Sequence, residues 1–258
     1  MNPIVIQNLR KSFGEQVVLN GIDLEVEAGK IIGYIGPNGA GKSTTIKILT
    51  GITPDFEGEV RVLGMDVRKD GLEVKRRIGF IPENAALYES LTPMEYLHFV
   101  GQLYSLSSVD IKRKAGELLD VFELGGKRDV RMNTFSKGMK QKVLLIAGIL
   151  HNPEILFLDE PLSGLDANSV ILVKEILTQL RDAGKTIFYS SHIMDVVEKI
   201  SDRIVIINKG HIIANGSFEE LNSDAHRGSL EQIFSQMTGN VGEATGMAGR
   251  VLKIMDSE

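Results

Sequence analysis

The chain has 258 residues, enough for one large core or for one domain with an insertion. It contains no cysteine, which excludes disulfides and thiolate metal sites, and its net charge of -5 argues against a protein devoted to nucleic acid. No apolar run approaches the ~20 residues of a membrane span and no signal-peptide pattern opens the chain, so we expect a soluble protein, and any membrane role would need a partner.

Short strands separated by a turn open the chain. Strands are predicted at Pro3 to Gln7 and at Ile22 to Val26, and the segment Phe13 to Gln16 carries the turn signal. This pattern predicts an antiparallel β segment before the main core.

The most specific segment, the phosphate loop, has the spacing glycine, four residues, Gly-Lys-Ser. It follows the strand-like run Ile31 to Ile35 and precedes a helical pattern from Thr44 to Thr50. Its glycines allow backbone N–H groups to point inward, and the helix N-terminus adds a positive dipole, which suits nucleotide phosphates. Lys42 is expected at the β- and γ-phosphates and Ser43 at Mg²⁺. The residues of the loop are Gly36, Pro37, Asn38, Gly39, Ala40, Gly41, Lys42, Ser43 and Thr44.

A helical segment interrupts the α/β pattern after the predicted strands Glu59 to Leu63 and Ile78 to Ile81. Thr92 is the expected N-cap of its first helix, and a second helix is predicted from about Asp110 to Phe122. Leu87, Tyr88 and Leu91, just before this segment, read as exposed apolar residues, and their alternative role is to cap the helical core.

Two carboxylates follow the next buried strand. The apolar run Ile155 to Leu158 ends in Asp159 and Glu160, as expected for a strand covered on both faces. Asp159 is placed to hold Mg²⁺ through a water, and Glu160 can polarise the water that attacks the γ-phosphate. The alternative is a pair of solvated charges.

Strands and helices alternate in the rest of the chain, which predicts a parallel sheet with right-handed crossovers. The segment from Gly239 to Gly249 contains four glycines and predicts a linker. The predicted elements are a helix from about Ala167 to Ala183, a strand from Thr186 to Ser190, a helix from about Ile193 to Ile200, a strand from Arg203 to Ile207, a strand near His211 to Ala214 and a helix from Phe218 to Leu221.

The order of these segments resembles the ATP-binding cassette (ABC) ATPases over about residues 3 to 222. The resemblance rests on the phosphate loop, the strand and carboxylates ending at Glu160, and three further segments. These are Phe135-Ser136-Lys137-Gly138-Met139-Lys140-Gln141, which opens a helix, Ser163-Gly164-Leu165-Asp166, and Ser190-Ser191-His192.

The resemblance implies a role for each segment. The phosphate loop is the Walker A loop, Ile155 to Glu160 is the Walker B strand with its catalytic glutamate, and His192 is the switch histidine. Ser136, Gly138 and Asp166 belong to the signature and D-loop, which contact ATP held by a second subunit. Phe13 matches the adenine-stacking aromatic, although a Phe at this position is by default a core residue.

Three residues depart from the common pattern. Lys137 and Met139 stand where the signature has glycine and glutamine, and Glu83 stands where the Q-loop has glutamine. This pattern resembles the ATPase subunits that work with ABC-2 type membrane subunits, which are bacterial exporters. We expect Glu83 to be a catalytic ligand of the Mg²⁺ and water assembly, although its charge puts the usual Q-loop role in doubt.

The resemblance implies a P-loop α/β core with an inserted helical subdomain, in an ATPase subunit at the cytoplasmic face of the membrane. The core is expected at residues 1–84 and 152–222, the helical subdomain at 85–151 and an extension at 223–258. The expected ligands are ATP and Mg²⁺, and the expected partners are a second ATPase subunit, as a homodimer, and an integral-membrane subunit, with no nucleic acid. An importer subunit and a non-transport ABC ATPase are the alternatives. A nucleoside kinase or GTPase lacks support, because Asn208-Lys209-Gly210 is not followed by the aspartate that reads guanine.

Overall fold

The computed structural model describes residues 2–83, 87–222, 227–239 and 255. Its described part contains two β-sheets and a set of α-helices. No described helix is both long and apolar enough to cross a membrane. The predicted linker lies outside the described residues beyond Gly239. The predicted α/β class with an antiparallel lead-in and a helical insertion is confirmed.

The main sheet has six strands in the order β10-β9-β3-β8-β7-β6. Strands β9, β3, β8, β7 and β6 are parallel, and β10 pairs with β9 in the antiparallel sense. Because both faces of the central strands are covered, β3, β7 and β8 are buried at every residue. The strands are β3 (Ile31–Ile35), β6 (Ile78–Ile81), β7 (Ile155–Asp159), β8 (Thr186–Ser190), β9 (Arg203–Asn208) and β10 (His211–Gly216).

The second sheet is the predicted antiparallel lead-in, extended by two strands, in the order β2-β1-β4-β5. Its first two strands are longer than predicted and run up to the turn at Gly14 and Glu15. Irregular register along β1 and β2 accounts for their weak alternation in sequence. The strands are β1 (Ile4–Phe13), β2 (Gln16–Val26), β4 (Glu57–Val62) and β5 (Met65–Asp66).

The helical insertion begins as the capping signal predicts. The Thr92 hydroxyl accepts a hydrogen bond from the Glu95 amide, and the Glu95 carboxylate accepts one from the Thr92 amide, with Pro93 in the first turn. Of the three apolar residues before it, Leu87 and Leu91 pack against the core and Tyr88 is exposed. The insertion contains α3 (Pro93–Leu103), α4 (Ser108–Val121), two short 3-10 helices (Gly125–Lys127 and Met132–Thr134) and α5 (Lys137–Ile149).

The remaining helices lie between or after the strands of the two sheets, and the last of them is not predicted from the sequence. That helix has a Ser229 cap, and its Leu230 and Ile233 side chains are buried. The Leu230 amide donates to Glu198 in the helix that precedes β9. This helix, within the described residues 227–239, therefore packs on the core. The helices are α1 (Lys42–Leu49), α2 (Gly71–Arg77), α6 (Ala167–Asp182), α7 (Met194–Ile200), α8 (Phe218–Leu221) and α9 (Leu230–Thr238).

The main sheet divides the hydrophobic core in two. Alternate side chains of each central strand enter different clusters: in β8, Ile187 and Tyr189 pack with the helices α5, α6 and α7, whereas Phe188 packs with α1 and the antiparallel sheet. This two-sided packing fixes the register of the parallel strands. Their carboxyl ends are thereby held in a row along one edge of the sheet.

Candidate active site

A cavity of about 690 Å³ opens at the carboxyl edge of the parallel strands, where ligands of open α/β sheets bind. It brings together predicted residues from the ends of four strands: the phosphate loop after β3, Glu83 after β6, Asp159 and Glu160 at the end of β7 and His192 after β8. The lining residues are Phe13, Gln16, Val18, Asn38, Gly39, Gly41, Lys42, Ser43, Thr44, Glu83, Asp159, Glu160 and His192.

Close packing explains two glycines of the phosphate loop. A Cβ at Gly36 would lie 2.3 Å from the Ile207 carbonyl oxygen, and Gly41 has a φ of +110° directly before α1. The loop therefore lies against β9 and turns sharply into the helix, leaving the N-terminus of α1 at the cavity. Gly36 itself is buried behind the cavity, and Pro37 and Ala40 line a neighbouring cavity of about 440 Å³ with Lys209 and Gly239.

Lys42 is buried in the loop, and its ammonium donates to the carbonyl oxygens of Gly36 at 2.7 Å and Pro37 at 3.2 Å. Burial lowers the pKa of Lys42, and the carboxylates of Glu160, Asp159 and Glu83 oppose that shift. A buried ammonium with only carbonyl partners is an anion-binding group that a phosphate can engage.

Asp159 is buried at the end of β7, and its Oδ1 accepts a hydrogen bond of 2.5 Å from the Ser190 hydroxyl. Asp159 pairs with Ser190 across the β7–β8 ladder, so the main-chain register sets this contact. Ser43 lies across the cavity at the start of α1, half-buried. An oxygen-only pair of this kind suits Mg²⁺, which takes one or two protein ligands and completes its shell with water and phosphate oxygens. In the described part of the chain, no group of three or more His, Asp and Glu residues could hold a metal.

Glu160 and His192 form a pair at the mouth of the cavity. His192 Nδ1 lies 2.8 Å from Glu160 Oε2, and the carboxylate is largely buried while the imidazole is exposed. Glu160 has a φ of +51°, and its amide donates to the Ser190 carbonyl oxygen. Left-handed backbone in a residue other than glycine costs of order 1 kcal/mol and often marks a functional position. Here the residue in this conformation lines the cavity.

Glu83 and Phe13 lie at the rim of the same cavity. Glu83 is exposed two positions after the end of β6, and its charge acts on the Lys42 ammonium. The Phe13 ring is 53% exposed and ends β1. Gln16 and Val18 of β2 also line the cavity, although no motif in the sequence predicts them there. Their only sequence signal is that they follow the turn beside Phe13.

The signature segment does not reach this cavity. Ser136 is exposed, and its hydroxyl caps α5 by accepting from the Met139 amide. Asp166 is exposed and caps α6 in the same way through Ser169, whose hydrogen bonds lower the pKa of the Asp166 carboxyl. Gly138 is half-buried in the first turn of α5. The predicted site residues therefore lie in or beside the cavity, apart from Ser136, Gly138 and Asp166, which lie on this capped surface.

The capped surface is held together by close contacts between α5 and the loop after β7. A Cβ at Gly138 would lie 2.6 Å from the Gly164 carbonyl oxygen, and the Lys137 ammonium donates to the Ser163 hydroxyl at 2.8 Å. Lys137, the departure from the family pattern, thus ties the signature to the D-loop segment. The sequence shows each segment, but not that they touch.

Known proteins match the chain in sequence. The family model described as ABC transporter matches residues 19–163. The linearmycin resistance ATP-binding protein of Bacillus subtilis is 38% identical over 215 residues, which cover 83% of this chain and 69% of that protein.

Solved structures match the fold. A structure entitled "Structure of ATP binding subunit of ABC transporter" superposes with a TM-score of 0.85 at 32% identity and covers 91% of this chain and 99% of its own. A dimeric ATP-binding cassette in a post-hydrolysis state, bound to ADP and phosphate, superposes with a TM-score of 0.77 at 24% identity and covers 83% and 98%, which shows the fold. The chain belongs to the ABC transporter family and is an ATP-binding, ATP-hydrolysing subunit.

Proposed function

We propose that this ATPase works as a motor for export, dimerising around two MgATP and driving a separate ABC-2 type membrane subunit from the cytoplasmic face. One observation carries the proposal: Lys42, Asp159 and the Glu160–His192 pair meet in one cavity, while Ser136 and Asp166 lie outside it on a surface of their own. A site divided in this way becomes complete when two copies meet head to tail. The alternatives weighed above, import and a role outside transport, are less well supported by the residues.

Each cavity residue has a distinct task in hydrolysis. The loop amides bind the α- and β-phosphates, the Lys42 ammonium binds the β- and γ-phosphates, and the exposed Phe13 ring stacks on the base. Glu160 accepts the proton of the attacking water, and His192 holds that carboxylate in place. Ser43 and Asp159, with Glu83 nearby, would hold Mg²⁺, which supplies neutralisation of charge on the phosphate oxygens.

Completion of the site in a dimer makes Ser136 the residue that approaches the γ-phosphate from the second copy. The backbone N–H groups of Ser136 and the next residues form the N-terminus of α5, and this N-terminus faces outward from the subunit. When the two subunits close around ATP, the contacts of Lys137 with Ser163 and of Gly138 with Gly164 transmit that movement to the loop that follows Glu160. In this scheme nucleotide drives association and hydrolysis reverses it.

The test compares Glu160→Gln with Glu175→Gln, an exposed carboxylate on α6. Glu160→Gln is expected to bind ATP normally and to lose turnover by on the order of 10²–10⁴-fold, because an amide cannot accept the proton. Light scattering of this variant should show a doubled mass only with MgATP, while Glu175→Gln should hydrolyse ATP at the wild-type rate. A monomeric mass for Glu160→Gln at saturating MgATP would refute the dimer.

Export rather than import is supported by the pattern around Glu83 and Met139 and by the resistance function in the name of the Bacillus relative. The membrane partner would dock on the exposed apolar surface of the helical insertion, where the Tyr88 ring meets Phe99 edge-on at 5.9 Å and Leu103 is 67% exposed. Tyr88→Glu is expected to prevent copurification of the membrane subunit and to leave basal ATPase intact. Leu72→Glu, an equally exposed apolar residue on α2, is the control.

A further inference from the structure

Lys11 is a buried lysine that hydrolysis does not explain. Its side chain is only 6% exposed, and its ammonium donates to Asp55 Oδ2 at 2.8 Å. Asp55 itself is 95% exposed, between α1 and β4. An ion pair with so exposed a carboxylate contributes little, so it does not by itself justify burying the lysine.

The second neighbour of the ammonium is the ring of Phe13, whose centroid lies 4.7 Å from Lys11 Nζ. The two residues are two positions apart on β1, and the strand register is irregular between Lys11 and Ser12, so the measured contact and not regular strand alternation brings the two side chains together. The ring also lines the nucleotide cavity and is half exposed. One face of the aromatic ring thus carries a cation while the ring borders the cavity.

A cation over an aromatic face does two things. It is attracted to the negative π-face, which holds the ring in one orientation. It also draws π-electron density towards itself, so that the opposite face repels a second electron-rich ring less. Asp55 fixes the ammonium in position from the outer side.

We propose that Lys11 is a positioning residue for the nucleotide base: its ammonium, anchored by Asp55, holds the Phe13 ring at the cavity and favours stacking of a purine on it. The inference rests on the proposed role of Phe13 in ATP binding and adds a residue to it. The ligand chemistry is that of an electron-rich heteroaromatic base attached to a triphosphate. A direct attraction between Lys11 and the phosphates is the competing explanation, and it makes different predictions.

The test separates base from phosphates with two probes, ATP and inorganic tripolyphosphate, each titrated calorimetrically with Mg²⁺. Lys11→Met keeps an apolar stem without the charge and leaves no unpaired buried group, since Asp55 is solvated. It is expected to weaken ATP binding about fivefold and to leave tripolyphosphate binding unchanged. Lys11→Arg retains a cation and should bind ATP like the wild type.

The Phe13→Ala variant is the background in which the Lys11 substitution is tested again. If Lys11 acts through the ring, Lys11→Met should cause no further loss of ATP affinity once Phe13 is alanine. Lys11→Gln, which keeps an amide donor for Asp55, is a second neutral variant and should match Lys11→Met. Thermal melts identify any variant that fails to fold. If one neutral variant fails, the ATP affinity of the other decides whether Lys11 acts through the Phe13 ring.

The outcomes are distinct. Failure of the wild type to bind ATP would overturn the proposed function itself. Wild-type binding with unchanged ATP affinity in both neutral variants would overturn only the role of Lys11. Equal weakening of ATP and tripolyphosphate, or a loss that persists in the Phe13→Ala background, would show that Lys11 acts on the phosphates and would also overturn the inference.

Discussion

Glu160 Oε2 and His192 Nδ1 lie 2.8 Å apart, although the two residues are 32 positions apart in the sequence. Their meeting follows from the register of β7 and β8, in which Asp159 pairs with Ser190. Glu160 lies one position after Asp159 and His192 lies two positions after Ser190, so both leave the sheet at the same edge. A single ladder contact thus positions both Glu160, the proposed proton acceptor, and the imidazole that contacts it.

His192→Ala is expected to lower kcat by on the order of 10²-fold while ATP affinity changes little, because the carboxylate loses its orienting partner and the phosphate contacts remain. Steady-state ATPase and calorimetric binding of ATP check the two parts. His211→Ala, exposed on β10 beside Asn20, is the matched control and should behave as wild type. Loss of ATP affinity equal to the loss of rate would contradict an orienting role.

Glu83 is expected to contribute to the Mg²⁺ assembly, since it borders the cavity and its charge acts on Lys42. Glu83→Ala should raise the Mg²⁺ concentration required for half-maximal activity and lower kcat. Glu83→Gln should retain substantial activity with an altered pH profile, because an amide oxygen can still ligate but does not titrate. Identical ATPase curves across Mg²⁺ concentration and pH for the three proteins would refute this role.

His151 is expected to make stability depend on pH. Its ring stacks on the ring of Tyr104, with the two ring centroids 3.6 Å apart. His151 Nε2 lies 2.9 Å from the Ile78 carbonyl oxygen, and Nδ1 is buried without a hydrogen-bond partner in the described structure. Burial lowers the pKa of His151 from 6.5, against the opposing effect of the Ile78 hydrogen bond. Below 6.5 the unfolded chain therefore binds the proton first. Stability should rise with pH from the folded-state pKa up to 6.5 and level off above it.

Urea denaturation between about pH 5 and pH 8 measures this slope. His151→Phe preserves a ring against Tyr104 and removes the titrating group, so its midpoint should vary less with pH in that window. The variant should also be less stable than wild type at neutral pH by about 1 kcal/mol, because the Ile78 carbonyl loses its donor. An unchanged slope would assign the pH dependence to other groups.

Two helix glycines should respond in opposite directions to alanine. A Cβ at Gly101 in α3 would lie 2.6 Å from Ile111 Cγ1 in α4, whereas one at Gly116 in α4 would meet nothing closer than Arg128 at 4.0 Å. Gly101→Ala is expected to destabilise by ~1–3 kcal/mol through overpacking. Gly116→Ala should stabilise by about 0.5–1 kcal/mol through helix propensity. Thermal melts that shift in the same direction for both would contradict the close packing of α3 on α4.

The local elements could be read from the chain because each has a contiguous signal. The five residues of β8 and the four of α8 lie where they were predicted, and Thr92 caps α3 as its spacing with Glu95 indicates. Helix α9 carried comparable signals, a Ser229–Gln232 capping box and apolar residues at positions 230, 233, 234 and 237. No helix is predicted there, because the sequence beyond Asn222 is less patterned overall than the preceding elements.

The sequence by itself determined the phosphate loop, whose function needs only neighbouring residues on one strand-to-helix turn. Only the tertiary structure decided which distant groups meet it. The Glu160–His192 pair and the Lys137–Ser163 contact each join separate elements. The contact of the Lys11 cation with the Phe13 ring depends on the burial of Lys11, which no local pattern predicts. Those contacts depend on strand register and on two cores packed against opposite faces of one sheet, and both are properties of the whole chain.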